Sequence, residues 1–140
     1  MGEALSKPLI DLAHQLSWDL DIVVPVPLGV VRRKERGYNQ ASLLARPVAM
    51  KLNLHYQLKA LRRVRETQSQ VELNREQRKL NVAGAFQADP KRVADKNILV
   101  IDDVTTSGST LDSCAEALLS AGAGKVYGLT LARAENLSIQ

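Results

Sequence analysis

The sequence predicts an α/β fold, a mostly parallel sheet flanked by helices, and three observations predict it. Residues 97–132 read as strand, helix and strand with short connections, a βαβ unit whose crossover joins parallel strands in the right-handed sense. Residues 21–29 hold a second β-branched run that stops at two prolines. The composition, 45% hydrophobic and 24% charged over 140 residues, excludes global disorder and suits one compact domain, so residues 1–140 are expected to form a single unit.

Each element follows in order. Leu5, Leu9, Leu12, Ala13 and Leu16 recur at helical spacing, so residues 4–17 predict an amphipathic helix packed on the sheet. The run from Asp21 to Gly29 predicts a buried strand ending in a rigid loop; on local sequence Pro25 and Pro27 are equally well plain strand terminators, and only their place before a basic loop favours function. Residues 40–53 predict a second helix, with Ala41, Leu44, Ala45, Val48 and Leu52 on one face; Pro47 either kinks it or lies near its start. Residues 62–81 have few apolar anchors and read as a mobile polar excursion with a short helix around residues 75–80. The apolar run at 97–101 predicts a central parallel strand covered on both faces. Leu111, Cys114, Ala115, Leu118 and Leu119 predict a helix ending at Gly122, and residues 125–132 return as a strand. There is no internal repeat.

The net charge of +4 hides a strong asymmetry. Residues 32–92 carry 15 Lys and Arg against 5 Asp and Glu, whereas both flanks are acidic. Any one such cluster reads as a solvated face, but the three clusters around Arg32-Arg33-Lys34, Arg62-Arg63-Val64-Arg65 and Arg75, Arg78 and Lys79 point to a phosphate-bearing partner. Five dispersed aromatics do not make a base-stacking platform. The lone Cys114 excludes an intrachain disulfide framework and a cysteine-based zinc ribbon, and it fits a reducing, cytoplasmic setting; its place on an apolar helix face makes it a packed core residue. Neither a signal peptide nor an apolar run near the ~20 residues of a membrane span is present. His14 and His55 match no motif and read as surface or rim residues.

The most informative segment follows the strand at 97–101: Asp102-Asp103-Val104-Thr105-Thr106-Ser107-Gly108-Ser109-Thr110. It lies where α/β folds bind ligands, beyond the carboxyl end of a strand. Gly108 permits tight curvature, the small hydroxyl residues let backbone N–H groups converge on an anion, and the helix start adds its positive dipole end. An ordinary capping box of Ser109 with Asp112 would explain those two residues only, leaving the adjacent acids and five hydroxyls in six positions without a reason. The turn lacks the lysine of a Walker A loop, which disfavours a nucleoside triphosphatase. Two carboxylates beside a phosphate cradle suit a sugar phosphate: the loop holds the 5′-phosphate while Asp102 and Asp103 accept ribose hydroxyls and attract a divalent ion.

The stretch Ile98 to Leu111 resembles the phosphoribosyl pyrophosphate signature of type I phosphoribosyltransferases. More narrowly, Val24-Pro-Val-Pro-Leu28, Arg36-Gly-Tyr-Asn-Gln40, Arg62-Arg-Val-Arg-Glu-Thr67, Gln70, Arg75, Arg78, Asn81 and Ala85-Phe86 resemble the ComF/GntX family over roughly residues 20 to 132. The resemblance implies a type I phosphoribosyltransferase fold with a flexible basic loop or hood. It puts the 5′-phosphate at Thr105, Thr106, Ser107, Gly108, Ser109 and Thr110, the ribose and Mg²⁺ at Asp102 and Asp103, and the pyrophosphate at Val26, Pro27, Leu28 and Gly29. Arg32 and Arg36, with the loop arginines Arg62, Arg65, Arg75 and Arg78, become counter-charges. Gly29 departs from the pattern, since many relatives carry a larger polar residue such as histidine there. The cysteine-rich N-terminal module of longer relatives is also expected to be absent.

Two functions are thereby implied. One is transfer of phosphoribose from phosphoribosyl pyrophosphate, with Mg²⁺, to a nitrogen acceptor, in the manner of amidophosphoribosyltransferases. The other is a non-catalytic sensor of the same sugar that binds single-stranded DNA or a DNA-processing protein in competence and DNA uptake. Homo-oligomerisation is left open.

Overall fold

The structure is a computed structural model and describes residues 2–16, 19–27, 40–65, 73–105 and 108–133. Four strands, β1 (Ile22–Pro25), β2 (His55–Tyr56), β5 (Ile98–Thr105) and β6 (Val126–Arg133), form one sheet in the order β2-β1-β5-β6. Every neighbouring pair is parallel. A second, antiparallel pair joins β3 (Leu61–Arg63) to β4 (Phe86–Ala88). The helices are α1 (Gly2–Leu16), α2 (Gln40–Leu52), α3 (Arg75–Val82), α4 (Pro90–Val93) and α5 (Ser109–Ser120).

The apolar run of β5 is continuous because both of its faces are covered. Ile98 and Val100, with Ile22 and Val24 of β1, pack towards α5 and the hairpin, against Leu61, Phe86, Cys114 and Leu118. Leu99, Ile101 and Val23 point the other way, onto Leu9 and Ala13 of α1 and Leu44, Ala45 and Val48 of α2. Cys114 is fully buried, as its place in the helical pattern implies. Gly122, with φ +102°, stands just beyond α5 in the left-handed conformation that ends a helix.

Four local readings are settled or corrected. Pro47 lies inside α2, so the helical donor to the Leu43 carbonyl is missing; Leu43 is on the solvent side, 44% exposed. The strand expected over 97–101 runs on to Thr105, which places Asp102 and Asp103 within a strand rather than in a turn. The reading of 62–81 as one polar excursion is too broad. Leu61–Arg63 is a strand, and α3 is secured by a reciprocal capping box in which the Gln77 N–H donates to Asn74 Oδ1 at 2.8 Å and the Asn74 N–H donates to Gln77 Oε1 at 3.0 Å. The Ser109 capping box does not form, because Gly108 is the N-cap of α5 and Ser109 is already helical. No helix among the described residues is long and apolar enough to cross a membrane.

Leu118 is fully buried beneath the hairpin. Leu118→Ala should lower unfolding free energy by about 2–5 kcal/mol. Urea unfolding checks this as a lowered midpoint at unchanged slope.

Candidate functional site

The strand order creates the site. From β1 the chain passes through α2 to β2 on one side, and from β5 it passes through α5 to β6 on the other, so the order reverses between β1 and β5. Open α/β sheets bind ligands in the crevice at the carboxyl ends of such a strand pair. Here β1 pairs with β5 only as far as Pro25 with Ile101, followed by one more bond, from the Val26 N–H to the Ile101 carbonyl at 2.9 Å. Residues 102–105 of β5 project past that point, paired with β6 alone among the described strands.

The two prolines fit this geometry. The Val23 carbonyl accepts from the Gln57 N–H, and backbone groups alternate sides along a strand. Positions 25 and 27 therefore turn the edge that would carry an N–H towards β2, which has already ended, while Val26 keeps its bond to β5. Val26 and Pro27 are both buried at the mouth of the crevice.

Asp102 and Asp103 are half-buried and in contact. The Asp103 backbone N–H donates to Asp102 Oδ1 at 2.9 Å. Burial first, then the hydrogen bond and charge of the neighbouring Asp103 side chain, push the Asp102 carboxyl from its ordinary value of 3.8 up to about 8, against the opposing pull of that N–H and of Arg63. At neutral pH the unliganded Asp102 thus holds a proton. Cys114 lies within the same field; burial, aided by Asp102 and opposed by Arg63, pushes its thiol far up, so it is no nucleophile.

The next described residue beyond β5 is Gly108, whose φ of +82° suits glycine, and its carbonyl accepts the Asp112 N–H at 2.9 Å. No side chain caps α5. Ser109 and Thr110 occupy its first turn, half-buried, and the backbone of Thr105 ends β5. Thr106, Ser107, Leu28, Gly29, Arg32 and Arg36 lie outside the described residues, as do Thr67 and Gln70.

The loop arginines separate sharply. Arg62 is exposed and its Nη2 donates to Gln87 Oε1 at 2.6 Å. Arg65 Nη2 donates to the carbonyls of Asn81 and Ala83, at 2.7 and 2.6 Å, and so ties the end of β3 to the end of α3. Arg75 opens α3 and is exposed; Arg78 follows one turn on. It is Arg63, not among the sequence-derived site residues, that turns inward. Its Nε donates to the Pro27 carbonyl at 3.2 Å, its guanidinium lies 4.7 Å from the centre of the Phe86 ring, and its charge is felt by Asp102. Arg63 shares the inward face with Leu61, and the antiparallel partner Phe86–Ala88 fixes that face.

Comparison with known proteins agrees with this geometry. Residues 10–136 match the family model described as the phosphoribosyl transferase domain. The chain is 36% identical over 113 residues to the DNA utilization protein YhgH of Escherichia coli (strain K12), covering 81% of this chain and 49% of that protein. It is 32% identical over 123 residues to Competence protein F of Haemophilus influenzae, covering 86% and 53%, and 35% identical over 113 residues to Competence protein ComFC of Bacillus subtilis, covering 80% and 44%. It therefore spans about half the length of these relatives. Among solved structures, glutamine phosphoribosylpyrophosphate amidotransferase from B. subtilis superposes with a TM-score of 0.62 at 20% identity, over 93% of this chain and 26% of that one. Adenine phosphoribosyltransferase from Saccharomyces cerevisiae gives 0.60 at 14%, over 96% and 73%. The fold class and the ComF-type resemblance read from the sequence are thereby borne out.

The raised Asp102 has a consequence for stability. Between its ordinary value of 3.8 and its folded value of about 8, the native chain holds a proton that the unfolded chain has lost. The stability this group contributes is full below that window and is lost as pH rises through about 8. The unfolding temperature of the ligand-free protein should fall across the window, and Asp102→Asn should flatten the fall. Thermal melts at a series of pH values check this, and an unchanged slope in the variant would count against it.

Proposed function

The chain belongs to the phosphoribosyl transferase domain family, and from that premise we propose that it binds 5-phosphoribosyl 1-pyrophosphate with Mg²⁺ and transfers phosphoribose to a nitrogen acceptor. One observation carries the reading. A strand carrying two touching carboxylates in its last residues of pairing runs towards a helix that starts at a left-handed glycine without a side-chain cap, at the point where the strand order reverses.

In this reading the 5′-phosphate lies at the start of α5, over Gly108, Ser109 and Thr110 and the segment from Thr105 through Ser107, where dipole and backbone donors favour an anion. Asp102 and Asp103 accept the ribose hydroxyls and stabilise positive charge developing at C1. Val26 to Gly29, with Arg32 and Arg36, face the pyrophosphate. The C1–O bond to pyrophosphate breaks, a C1–N bond forms, and the acceptor nitrogen gives up its surplus proton. Among the described residues no three His, Cys, Asp or Glu gather as a metal cage. The Asp102–Asp103 pair instead suits Mg²⁺, which is commonly held by one or two carboxylates plus substrate oxygens. When bound, that ion would offset charge on the leaving pyrophosphate. Closure of the segment carrying Arg62, Arg65, Arg75 and Arg78 would exclude water and prevent hydrolysis.

The names of the relatives, DNA utilization protein and competence protein, support a role in DNA uptake. A second reading, a sensor without transferase activity, is favoured by the exposed arginines Arg62 and Arg75, which suit the phosphates of single-stranded DNA or a DNA-processing partner.

Titration with phosphoribosyl pyrophosphate should show Mg²⁺-dependent binding that the Asp102→Asn/Asp103→Asn double variant loses; no binding by the native chain would sink both readings. Pyrophosphate release with a panel of bases and amines should be detectable in the native chain. It should fall on the order of 10²- to 10³-fold on loss of one positioned acid, by analogy with oxyanion-hole losses. A silent panel together with salt-sensitive single-strand binding would favour the sensor.

A further inference from the structure

We propose that the groove between α1 and α2 docks a helix of a partner protein, one whose apolar stripe is flanked by carboxylates. The inference concerns the helical layer on one face of the sheet and stands apart from what the crevice binds.

α2 is apolar on two sides. Leu44, Ala45, Val48 and Ala49 are buried in the core between the helices and the sheet. Leu43, Pro47 and Met50 recur at i, i+4 and i+7, which puts them on one stripe that faces away from that core. Leu43 is 44% exposed and Met50 79%. A helix that is apolar on both sides is normally covered on both, yet this side of α2 stays open. The half-buried Pro47 ring, with Ser6 and Ile10 of α1, floors a groove of about 530 Å³. Its exposed rims are Lys7 and Asp11 on α1 and Met50 and Lys51 on α2. Two packed helices leave such a channel between them, and a third helix can fill it ridge into groove.

Charge selects which helix. At about 100° per residue, Arg46 lies on one side of the α2 stripe and Lys51 on the other. With Lys7 they outnumber Asp11, and among the described residues none of these four groups is in an ion pair. A partner stripe bordered by Asp or Glu would meet these cations at the rim, where opposite charges set register and speed encounter while apolar contact supplies affinity. A second copy of the chain would bring a like excess of cations to the contact. A flat anionic lipid surface would leave the concave floor unfilled and set Asp11 against its head groups.

The test uses the full chain and two fluorescein-labelled synthetic peptides of about 18 residues, long enough to be helical alone. Both carry leucines at i, i+3, i+4 and i+7; one has glutamates along both sides of that stripe, and its twin has lysines there. Fluorescence anisotropy should show the glutamate peptide binding at least about tenfold more tightly than the lysine twin, with the difference shrinking as salt rises. Met50→Glu should weaken the glutamate peptide about tenfold or more. Lys7→Glu/Lys51→Glu should reverse the order of the two peptides, and it decides the matter alone if Met50→Glu does not fold. Leu119→Glu, at an exposed apolar position on α5, should change neither affinity. No binding of the glutamate peptide, equal binding of the twins, or indifference of that binding to Met50→Glu or to the double reversal overturns the proposal. So does a dimer in sedimentation that Met50→Glu abolishes, which gives the groove to a second copy. Adsorption to phosphatidylglycerol vesicles that Met50→Glu abolishes overturns it too, in favour of a membrane.

Discussion

The site depends on one mismatch: β5 is longer than the strand beside it. β1 pairs with β5 no further than Pro25 with Ile101, and among the described strands β5 continues to Thr105 against β6 alone. The fully buried run at Ile98 to Ile101 anchors the strand between two packed layers. Residues 102–105 are consequently held in position by their pairing with β6. Carboxylates presented this way need no flexible loop to place them, which favours preorganised charge over charge gathered on binding.

The central architecture and the acid pair were legible in the sequence because each has a local cause. A run covered on both faces must be apolar throughout, and the i, i+3, i+4 recurrence through Cys114 and Leu118 has no reading other than a helix. Less was legible where pairing with distant residues decides the structure. Asp102 and Asp103 are poor strand formers, so nothing local extends β5 beyond Ile101; β6 does that. β3 is three residues long and largely charged, too short for alternation to register, and only its partner at Phe86–Ala88 reveals which arginine faces inward. For the same reason Ser109 looks like a cap in sequence, although the chain turns one residue earlier, at Gly108.

Charge at the site is arranged as an unfinished balance. Burial and the neighbouring Asp103 drive Asp102 to retain a proton, while Arg63 opposes that tendency. Two carboxylates in contact resist simultaneous full ionisation in a half-dry crevice, and the nearby guanidinium offsets only part of that desolvation and repulsion. A ligand bringing both hydroxyl donors and anionic oxygens would satisfy the two sides together, and this is the chemical sense in which acids and arginine belong to one site.

The Arg65 clasp on the carbonyls of Asn81 and Ala83 closes the base of the intervening chain independently of what that chain contains. Loop-closure entropy grows only slowly with length, by about 0.6 kcal/mol for each doubling. Residues between the clasp points are therefore free to lengthen, shorten or change composition with little effect on the sheet or the acids. A change of length there, such as an inserted reporter peptide, would therefore be felt by the segment itself and not by the strands.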